Sequence, residues 1–380
     1  MHRNCNYPRN CETNNSIIKT PKKMRIVFVI SAMNAGGAQR VISLMANYWA
    51  SQHNISILTI SSDNSFYNLN PKINMTGLGL QREPGSIMSG LKANIARIKS
   101  IRSELKSINP DIVISFLTQT NIVAITVCKS LGIPVIISER NDPSNDMISV
   151  IWKAARYLTY RWSDLMVVQT KHVKRFFNNY RVKTEIIPNP VRAVNSLDIK
   201  KEKMVLAAGR LAHQKGFDLL IKAFADVSSK EWQLVILGEG PERENLKKLI
   251  SEKRLESRVQ MPGLVKNIDV IYSKASIFVL SSRFEGFPNV LCEAMAAGLA
   301  CISFNCNSGP SDIIDQNVNG ILVAAENKKE LIIAMNALIN NEDKRNTLGR
   351  EASKITTGLN LDKVMSQWER IIINIISQNN

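Results

Sequence analysis

The feature that most constrains the fold is the regular alternation of short apolar runs with helical patterns along the whole chain. Between the runs lie longer segments, such as residues 38–51 and 91–108, in which apolar residues recur every three or four positions. Strands that alternate with helices form parallel sheets with helices on both faces, so the sequence predicts an α/β fold. In the first half, the strand-like runs are residues 24–31, 55–60, 73–78, 111–117, 134–139 and 164–169.

A proline-containing break divides this alternation into two parts. Residues 184–191 contain two prolines and are interpreted as irregular chain that enters a linker, after which strands are predicted at residues 204–208, 276–280 and 299–304. A chain of 380 residues is long enough for two domains of ordinary size. We therefore predict a disordered leader at 1–23, a first domain at 24–187, a linker at 188–203, a second domain at 204–358 and a terminal helical segment at 359–380.

The first 23 residues differ in composition from the rest of the chain. They are polar and rich in Asn, and they lack the apolar core of a signal peptide. No apolar run approaches the roughly 18–20 residues that span a bilayer. We therefore expect a cytoplasmic protein whose leader is disordered or whose natural start is Met24.

The net charge of +17 is concentrated in the first half of the chain. Residues 1–200 contain 26 Lys and Arg against 11 Asp and Glu, a balance of +15, whereas residues 201–380 contain 23 against 21, a balance of +2. Such an excess indicates an anionic partner, which could be a nucleic acid, a membrane surface or an anionic substrate. A basic surface that serves only solubility remains the alternative.

Cationic and aromatic residues are interleaved in two predicted helices of the first half, residues 151–162 and 171–181. Aromatic rings favour the headgroup region of a bilayer, and amines are attracted to anionic lipid. The pattern therefore favours an anionic membrane surface as a partner. The alternative is that the rings lie in the core while the charges are solvated.

Two carboxylates flank a predicted helix start in the second half. Glu285 lies in a loop after the strand at residues 276–280, Pro288 is expected at the first helical position, and Glu293 lies inside the helix that Gly298 ends. A helix start with free backbone N–H groups favours phosphate, and carboxylates accept hydrogen bonds from sugar hydroxyls. Spacing alone leaves open an ordinary solvated pair of glutamates.

A basic turn precedes these carboxylates. Arg210 and Lys215 flank a turn that follows the strand at residues 204–208. Such a pair can neutralise a bound diphosphate, and also the negative charge that develops when the diphosphate departs, without a metal ion. The six cysteines show no C-x-x-C spacing, so we expect free thiols and neither a zinc site nor disulfides.

The segment Glu285-Gly-Phe-Pro-Asn-Val-Leu-Cys-Glu293-Ala-Met-Ala-Ala-Gly298 resembles the E-x7-E element of the retaining glycosyltransferases of family 4 over its whole length. That family has the GT-B fold, in which two Rossmann-like parallel-sheet domains face each other across a cleft. The resemblance extends over roughly residues 24–376 and is closest in the second half. It implies a hexosyltransferase that binds a nucleotide-sugar donor in the cleft, with UDP as the expected carrier.

Other segments resemble further elements of this family. The segment Gly36-Gly37-Ala-Gln-Arg40 looks like its N-terminal glycine loop, and Gly209-Arg-Leu-Ala-His-Gln-Lys-Gly216 looks like its GR…KG element. The resemblance implies catalytic roles for Arg210, Lys215 and Glu285. It implies that the donor is bound by Gly36, Gly37, Gly209, Gly238, Val265, Phe287, Pro288, Asn289, Val290 and Glu293.

One position departs from the family pattern. Many relatives have a histidine after the fifth strand of the first domain, where this chain has Glu139 and Arg140. The local sequence resembles that of a subgroup that acts on polyprenyl-diphosphate-linked sugars, so Glu139 and Arg140 are expected on the acceptor side. We expect neither His172, amid lysines on a helix surface, nor His213, in the basic turn, to replace the missing histidine.

The resemblance implies transfer of a sugar, with retention and without a metal or other cofactor, to a polyprenyl-diphosphate-linked saccharide in bacterial surface glycan synthesis. The segment Ser308-Gly-Pro-Ser-Asp-Ile-Ile314 resembles an element of members that extend bacterial surface polysaccharides. The expected location is the inner face of the cytoplasmic membrane. One alternative is a GT-B nucleotide-sugar epimerase, which would convert the donor without an acceptor. The other is a nucleic-acid binder, against which the absence of a binding motif argues.

Overall fold

The computed structural model describes residues 23–80, 87–145, 148–192, 194, 199–265 and 267–379. The expected leader therefore lies outside the described residues except for Lys23, and so does part of the expected linker. Two sheets organise the described chain, one before Ile187 and the other after Lys203. All paired strands within them are parallel, which confirms the predicted α/β class.

The first sheet has seven strands in the order β3-β2-β1-β4-β5-β6-β7. Short 3-10 turns at Tyr160–Trp162 and Phe177–Tyr180 follow its fourth and fifth helices. Its elements are β1 (Arg25–Ile30), α1 (Gly37–Trp49), β2 (Asn54–Thr59), β3 (Asn74–Gly77), α2 (Ile87–Ile108), β4 (Ile112–Phe116), α3 (Thr118–Leu131), β5 (Val135–Ser138), α4 (Val150–Thr159), β6 (Leu165–Val168), α5 (Lys171–Phe176) and β7 (Thr184–Ile186).

The second sheet has six strands in the order β10-β9-β8-β11-β12-β13. A 3-10 turn at His213–Lys215 follows its first strand. Its elements are β8 (Met204–Ala208), α6 (Phe217–Phe224), β9 (Gln233–Leu237), α7 (Arg243–Glu252), β10 (Val259–Gly263), α8 (Ile268–Lys274), β11 (Ile277–Leu280), α9 (Asn289–Ala296), β12 (Ala300–Asn305), α10 (Pro310–Ile313), β13 (Ile321–Ala324), α11 (Lys328–Ile339), α12 (Glu342–Ser353), α13 (Ile355–Gly358) and α14 (Leu361–Asn379).

The topology of both sheets places a crevice at the carboxyl ends of the central strands. The strand order reverses between β1 and β4 in the first sheet and between β8 and β11 in the second. In open parallel sheets, ligands bind outside the carboxyl ends of the strands at such a switch point. The glycine loop follows β1 and the basic turn follows β8, so both predicted phosphate-binding segments lie at switch points.

The last helix, α14, packs against the first sheet although it comes after the second one in sequence. Its buried residues belong to the same hydrophobic cluster as β1 and α1. The indole Nε1 of Trp49 also donates a 2.9 Å hydrogen bond to Oε1 of Glu369. Those buried residues of α14 are Val364, Met365, Trp368, Ile371, Ile372 and Ile375.

Three details differ from the sequence-based expectations. Residues 184–186, expected as irregular chain, form the edge strand β7, because Pro188 and Pro190 come after the strand and end it. The sequence analysis did not single out α3, which is buried around most of its circumference and so lacks a clear apolar stripe. Pro288 caps α9 from outside, and the helix begins at Asn289.

Candidate active site

The basic turn after β8 is packed closely against the end of β11. Gly216 has φ +61°, and a β-carbon there would lie 2.0 Å from the carbonyl oxygen of Ser281. Only glycine fits this position, because it tolerates both the left-handed conformation and the close approach. Gly238 at the end of β9 likewise packs on the backbone of Gly209, where a β-carbon would lie 1.9 Å from the carbonyl oxygen. The turn that contains Lys215 is therefore fixed between three strand ends.

The predicted catalytic residues Lys215 and Glu285 are in direct contact. Glu285 lies in the loop between β11 and α9 with 4% of its surface exposed. Its Oε1 lies 2.6 Å from Nζ of Lys215 and accepts a 2.6 Å hydrogen bond from the hydroxyl of Ser282. A buried carboxylate needs such partners, since burial of an unpaired charge is costly. Ammonium and carboxylate thus form one charged unit beside the N-terminus of α9.

Arg210 is placed differently from Lys215. Its side chain is exposed, and no hydrogen bond or ion pair joins that side chain to another residue of the described chain. The guanidinium is therefore free to bind an anion at the carboxyl end of β8. The basic turn thus carries one cation that is paired with Glu285 and one exposed cation without a side-chain partner among the described residues.

The second glutamate of the E-x7-E element is bound by residues from both domains. Glu293 lies inside α9 with 4% of its surface exposed, and its Oε1 lies 2.6 Å from Nη1 of Arg40 on α1. The hydroxyl of Tyr272 on α8 donates a 3.3 Å hydrogen bond to Oε2. Burial raises the pKa of Glu293, while Arg40 opposes that shift. The sequence analysis gave Arg40 no role, although it lies in the quoted glycine loop.

The glycine loop of the first domain faces the start of α9. A β-carbon at Gly37 would lie 3.0 Å from Nδ2 of Asn289, so the loop and the helix start are nearly in contact. Gly36 is held by the hydroxyl of Tyr67, which accepts a 3.1 Å hydrogen bond from its N–H and donates a 2.9 Å bond to its carbonyl oxygen. The oxygen of Asn289 accepts a 2.8 Å hydrogen bond from Asn189 in the linker.

The other predicted donor-binding residues lie in the second domain around the start of α9 and the end of β10. Phe287 and Pro288 are buried, and Val290 is partly buried against the core of the second domain. Val265 follows β10 and is partly buried against the core of the second domain.

Glu139 lies inside the first domain, with 1% of its surface exposed. Both of its carboxylate oxygens lie 3.1 Å from the hydroxyl of Thr118, and the hydroxyl of Tyr160 donates a short hydrogen bond to Oε1. Glu139 is therefore tied into the interior at the end of β5. Its expected place on the acceptor side stays a prediction.

Arg140 lies between the first domain and the linker. Its guanidinium stacks over the Phe116 ring at 4.7 Å from the ring centroid, and Nη1 donates a short hydrogen bond to the side chain of Asn189. Burial lowers its pKa to about 9. Its Nε and Nη2 have no hydrogen-bond partner among the described residues. A β-carbon at Gly286 would lie 2.2 Å from the carbonyl oxygen of Arg140, so this loop contacts the second domain directly.

His172 has a partner that the sequence analysis did not find. Its Nε2 lies 3.5 Å from Oδ1 of the buried Asp142 and 3.3 Å from the hydroxyl of Ser144. Both partners belong to the loop after β5, where the sequence analysis noted that this chain has no histidine. The neighbouring Thr170 contacts Ser308 of the second domain through their hydroxyls at 2.9 Å. The imidazole is thus placed near the cleft by contacts that no local pattern reveals.

The expected mixture of cations and aromatic rings is only partly at the surface. Tyr160 and Phe177 are buried, and Arg156 is buried with its guanidinium over the Phe177 ring. Helix α4 and the turn after it nevertheless expose a row of large apolar side chains, flanked by the exposed Lys153 and Arg161. Those apolar residues, 44–80% exposed, are Val150, Ile151, Tyr157, Leu158 and Trp162. Within the described chain, no helix combines the length and the apolar character that a membrane crossing requires.

Two parallel-sheet domains meet where the glycine loop and Arg40 of the first contact Asn289 and Glu293 of the second, and a basic turn follows the first strand of the second domain. This arrangement is that of a GT-B glycosyltransferase. Two family models match consecutive parts of the chain. The model described as Glycosyltransferase Family 4 matches residues 35–193, and the model described as Glycosyl transferases group 1 matches residues 192–355. Together they cover residues 35–355, and the chain belongs to the glycosyltransferases built from these two domains.

Relatives and solved structures agree with this assignment. The chain is 28% identical to the GalNAc-alpha-(1->4)-GalNAc-alpha-(1->3)-diNAcBac-PP-undecaprenol alpha-1,4-N-acetyl-D-galactosaminyltransferase of Campylobacter jejuni, over 93% of this chain and 99% of that one. It is 24% identical to the amylovoran biosynthesis glycosyltransferase AmsD of Erwinia amylovora, over 91% and 99%. Anabaena HepE, solved with UDP and glucose, superposes with a TM-score of 0.77 at 17% identity, over 92% and 99%. The last similarity establishes the GT-B fold alone.

Proposed function

We propose that this glycosyltransferase moves a sugar from a UDP-linked donor, with retention, to a polyprenyl-diphosphate-linked saccharide. The observation that carries this proposal is the contact between Lys215 and Glu285 in the loop before α9, with the exposed Arg210 in the same basic turn. Two cations and a helix N-terminus suit a diphosphate. A carboxylate suits the hydroxyls of the transferred sugar.

The chemistry follows from these positions. Arg210 and Lys215 stabilise the negative charge that develops on the departing diphosphate, so no metal ion is required. An oxygen of that diphosphate accepts the proton of the attacking hydroxyl on the same face of the sugar, which retains the anomeric configuration. Glu285 orients the sugar, Glu293 accepts hydrogen bonds from the ribose, and backbone around Phe287–Val290 binds phosphate or sugar.

The acceptor is proposed from the relatives and from the first domain. The Campylobacter jejuni relative is named for an undecaprenyl-diphosphate-linked acceptor. The buried Arg140 lies at the interdomain contact, and two of its guanidinium nitrogens have no hydrogen-bond partner among the described residues, which suits an anionic group on the acceptor side. The exposed apolar row of α4, with Lys153 and Arg161 beside it, suits peripheral binding to the inner face of an anionic membrane.

The test combines purified protein, an undecaprenyl-diphosphate-linked saccharide and separate UDP-sugars, including UDP-N-acetylhexosamines and UDP-galactose. We expect one donor to add one sugar to the lipid, as measured by mass spectrometry, in the presence of EDTA. NMR of the new linkage should give the anomeric configuration of the donor. Lys215→Ala should abolish the product, while Lys247→Ala, which removes an exposed lysine on α7, should not. Conversion of the donor without acceptor, or no product with any UDP-sugar, would overturn the proposal.

A further inference from the structure

An ion pair joins the two domains at the proposed nucleotide site. Arg40 lies in the first turn of α1, directly after the glycine loop, and its backbone N–H donates a 3.0 Å hydrogen bond to the carbonyl oxygen of Gly36. Its Nη1 lies 2.6 Å from Oε1 of Glu293 in the second domain. The side chains are 24% and 5% exposed, so the pair is largely shielded from solvent. This contact exists only while the two domains lie against each other.

The other groups near Glu293 cannot replace Arg40. Arg192 is already engaged by Asp269, with Nη1 2.8 Å from Oδ2 and Nη2 in contact with Oδ1. The hydroxyl of Tyr272 donates a single 3.3 Å hydrogen bond to Oε2. Burial raises the pKa of Tyr272 well above its usual value, so this group stays neutral. Arg40 is therefore the cation in direct contact with Glu293.

The geometry leaves Glu293 able to bind a ligand. Among the described residues, each carboxylate oxygen has one direct partner, Arg40 for Oε1 and Tyr272 for Oε2. An ionised carboxylate offers about four lone pairs, so two directions remain for hydroxyl donors. The carboxylate is held at a fixed orientation by donors from α1 and α8, which is the requirement for a preorganised site.

We propose that Arg40 is a positioning residue of the donor site. Its side chain extends from the first domain and holds the Glu293 carboxylate in the orientation that binds the ribose of the nucleotide. The proposal rests on the proposed function, in which Glu293 binds the nucleotide. It adds that the nucleotide site of the second domain is incomplete without a residue of the first. Nucleotide binding is thereby coupled to contact between the domains.

The pH dependence of nucleotide binding follows from the surroundings of Glu293. The charged and titratable groups that face it are Arg40 from α1, Tyr67 from the loop after β2, Arg192 from the linker, Tyr272 from α8 and the neighbouring Cys292. Burial raises the pKa of Glu293, and Arg40 opposes this shift. Removal of Arg40 therefore raises that pKa further, so that the carboxylate is neutralised at a higher pH. A neutral Glu293 loses acceptor capacity, and nucleotide affinity falls as the pH is lowered.

The experiment measures UDP affinity by calorimetry between pH 6 and 9 for the wild type, Arg40→Ala and Arg40→Lys. At pH 7 we expect Arg40→Ala to weaken UDP binding by about 10- to 100-fold, the loss typical of a charge-assisted hydrogen bond. The loss should shrink towards pH 9, and Arg40→Lys should restore most of the affinity. The matched control is Arg25→Ala, which removes another arginine ion pair of the first domain, with Asp111 at 3.0 Å.

A second series separates this role from a merely structural one. If Arg40 acts through Glu293, Arg40→Ala should weaken UDP binding little further in a Glu293→Gln background. Equal UDP affinity in the wild type and Arg40→Ala, or an equal loss at every pH without rescue by lysine, would overturn the inference. If UDP does not bind but GDP or ADP does, the proposed donor is wrong and the Arg40 series is measured with that nucleotide. If none of the three binds the wild type, both proposals fail.

Discussion

At the scale of single residues, the site depends on charges that are buried and in contact with each other. Lys215 neutralises Glu285 within the second domain, and Arg40 neutralises Glu293 from the first. Burial of a carboxylate without a cation or several hydrogen bonds is costly. The two glutamates therefore have the same kind of partner but different positions, one in the loop before α9 and the other inside the helix. This difference predicts different effects when each is removed.

The first prediction concerns these two glutamates. Glu293→Ala should weaken nucleotide binding, whereas Glu285→Ala should mainly lower kcat, because Glu285 is proposed to contact the transferred sugar and Glu293 the ribose of the nucleotide. Each should lose roughly 1.5–3 kcal/mol of charge-assisted hydrogen bonding. UDP calorimetry and steady-state kinetics measure the two effects. Activity at the wild-type level in both variants would show that the pair has no role in the site.

The second prediction concerns the two cations. Arg210→Ala and Lys215→Ala should each lower kcat by roughly 10²-fold or more, as when other stabilisers of developing charge are removed. Lys215→Ala should also lower the melting temperature, because it leaves Glu285 buried without its cation, whereas the exposed Arg210 should be neutral for stability. Steady-state kinetics and thermal unfolding test both statements. If a folded Arg210→Ala variant keeps the wild-type kcat, Arg210 is a surface residue without a role in the reaction.

At the scale of structural elements, the basic turn and the loop before α9 are held together by Arg283. Its guanidinium donates to both carboxylate oxygens of Asp218 at 2.9 and 3.0 Å, to the carbonyl oxygen of His213 at 2.7 Å and to Glu326 at 3.0 Å. Its backbone N–H also donates to the carbonyl oxygen of Gln214. The relative position of Lys215 and Glu285 therefore depends on a residue that contacts neither.

The third prediction follows from this connection. Arg283→Ala should lower kcat by roughly tenfold or more, since misplacement of a positioned group by about 1 Å can cost up to 10²-fold. UDP affinity should change less, because Glu293 is not among the residues that Arg283 holds together. Arg283→Lys should recover part of the stability but not the bidentate contact with Asp218. Kinetics and UDP calorimetry on the same preparations test this, and a kcat unaffected in Arg283→Ala would contradict it.

At the scale of the whole molecule, the basic charge and the exposed apolar row belong to the first domain. Each Lys or Arg near an anionic leaflet contributes about 1 kcal/mol, so four or five such residues give reversible attachment. Salt screens that attraction. The exposed apolar side chains of α4 can enter the headgroup region once the charges have brought the domain to the surface. An enzyme with a lipid-linked acceptor would be kept near its substrate in this way.

The fourth prediction is a vesicle assay. The protein should sediment with anionic vesicles at low salt, be released at roughly 0.5 M salt, and bind little to neutral vesicles. Replacement of Lys171, Lys174 and Arg175 with Glu should reduce attachment and leave UDP binding intact. In the matched control, Lys247 and Lys248 of α7 in the second domain are replaced in the same way. This variant should bind anionic vesicles like the wild type. If the protein does not bind anionic vesicles at low salt, a soluble acceptor becomes the better hypothesis.

The sequence by itself determined the α/β class, the two-part organisation and the motifs of the site, because these depend on local order. The period of apolar residues distinguishes strand from helix, and glycine positions mark turns such as the one at Gly216. Glu285 and Glu293 could be placed before and inside one helix for the same reason. The local patterns did not predict α3, because burial on most sides removes the helical spacing of its apolar residues. They also did not predict β7, because the prolines that follow it are typical of a linker.

The tertiary structure decided which polar side chains meet. Arg40 pairs with Glu293, Asp142 with His172, and Trp49 with Glu369, which lies 320 positions away. It also decided that Tyr160 and Phe177 are buried while Tyr157 and Trp162 are exposed. A local pattern records which face of an element is apolar, but it does not record what packs against that face. Contacts between distant segments depend on how the two sheets are placed together, and the donor site proposed here is made of such contacts.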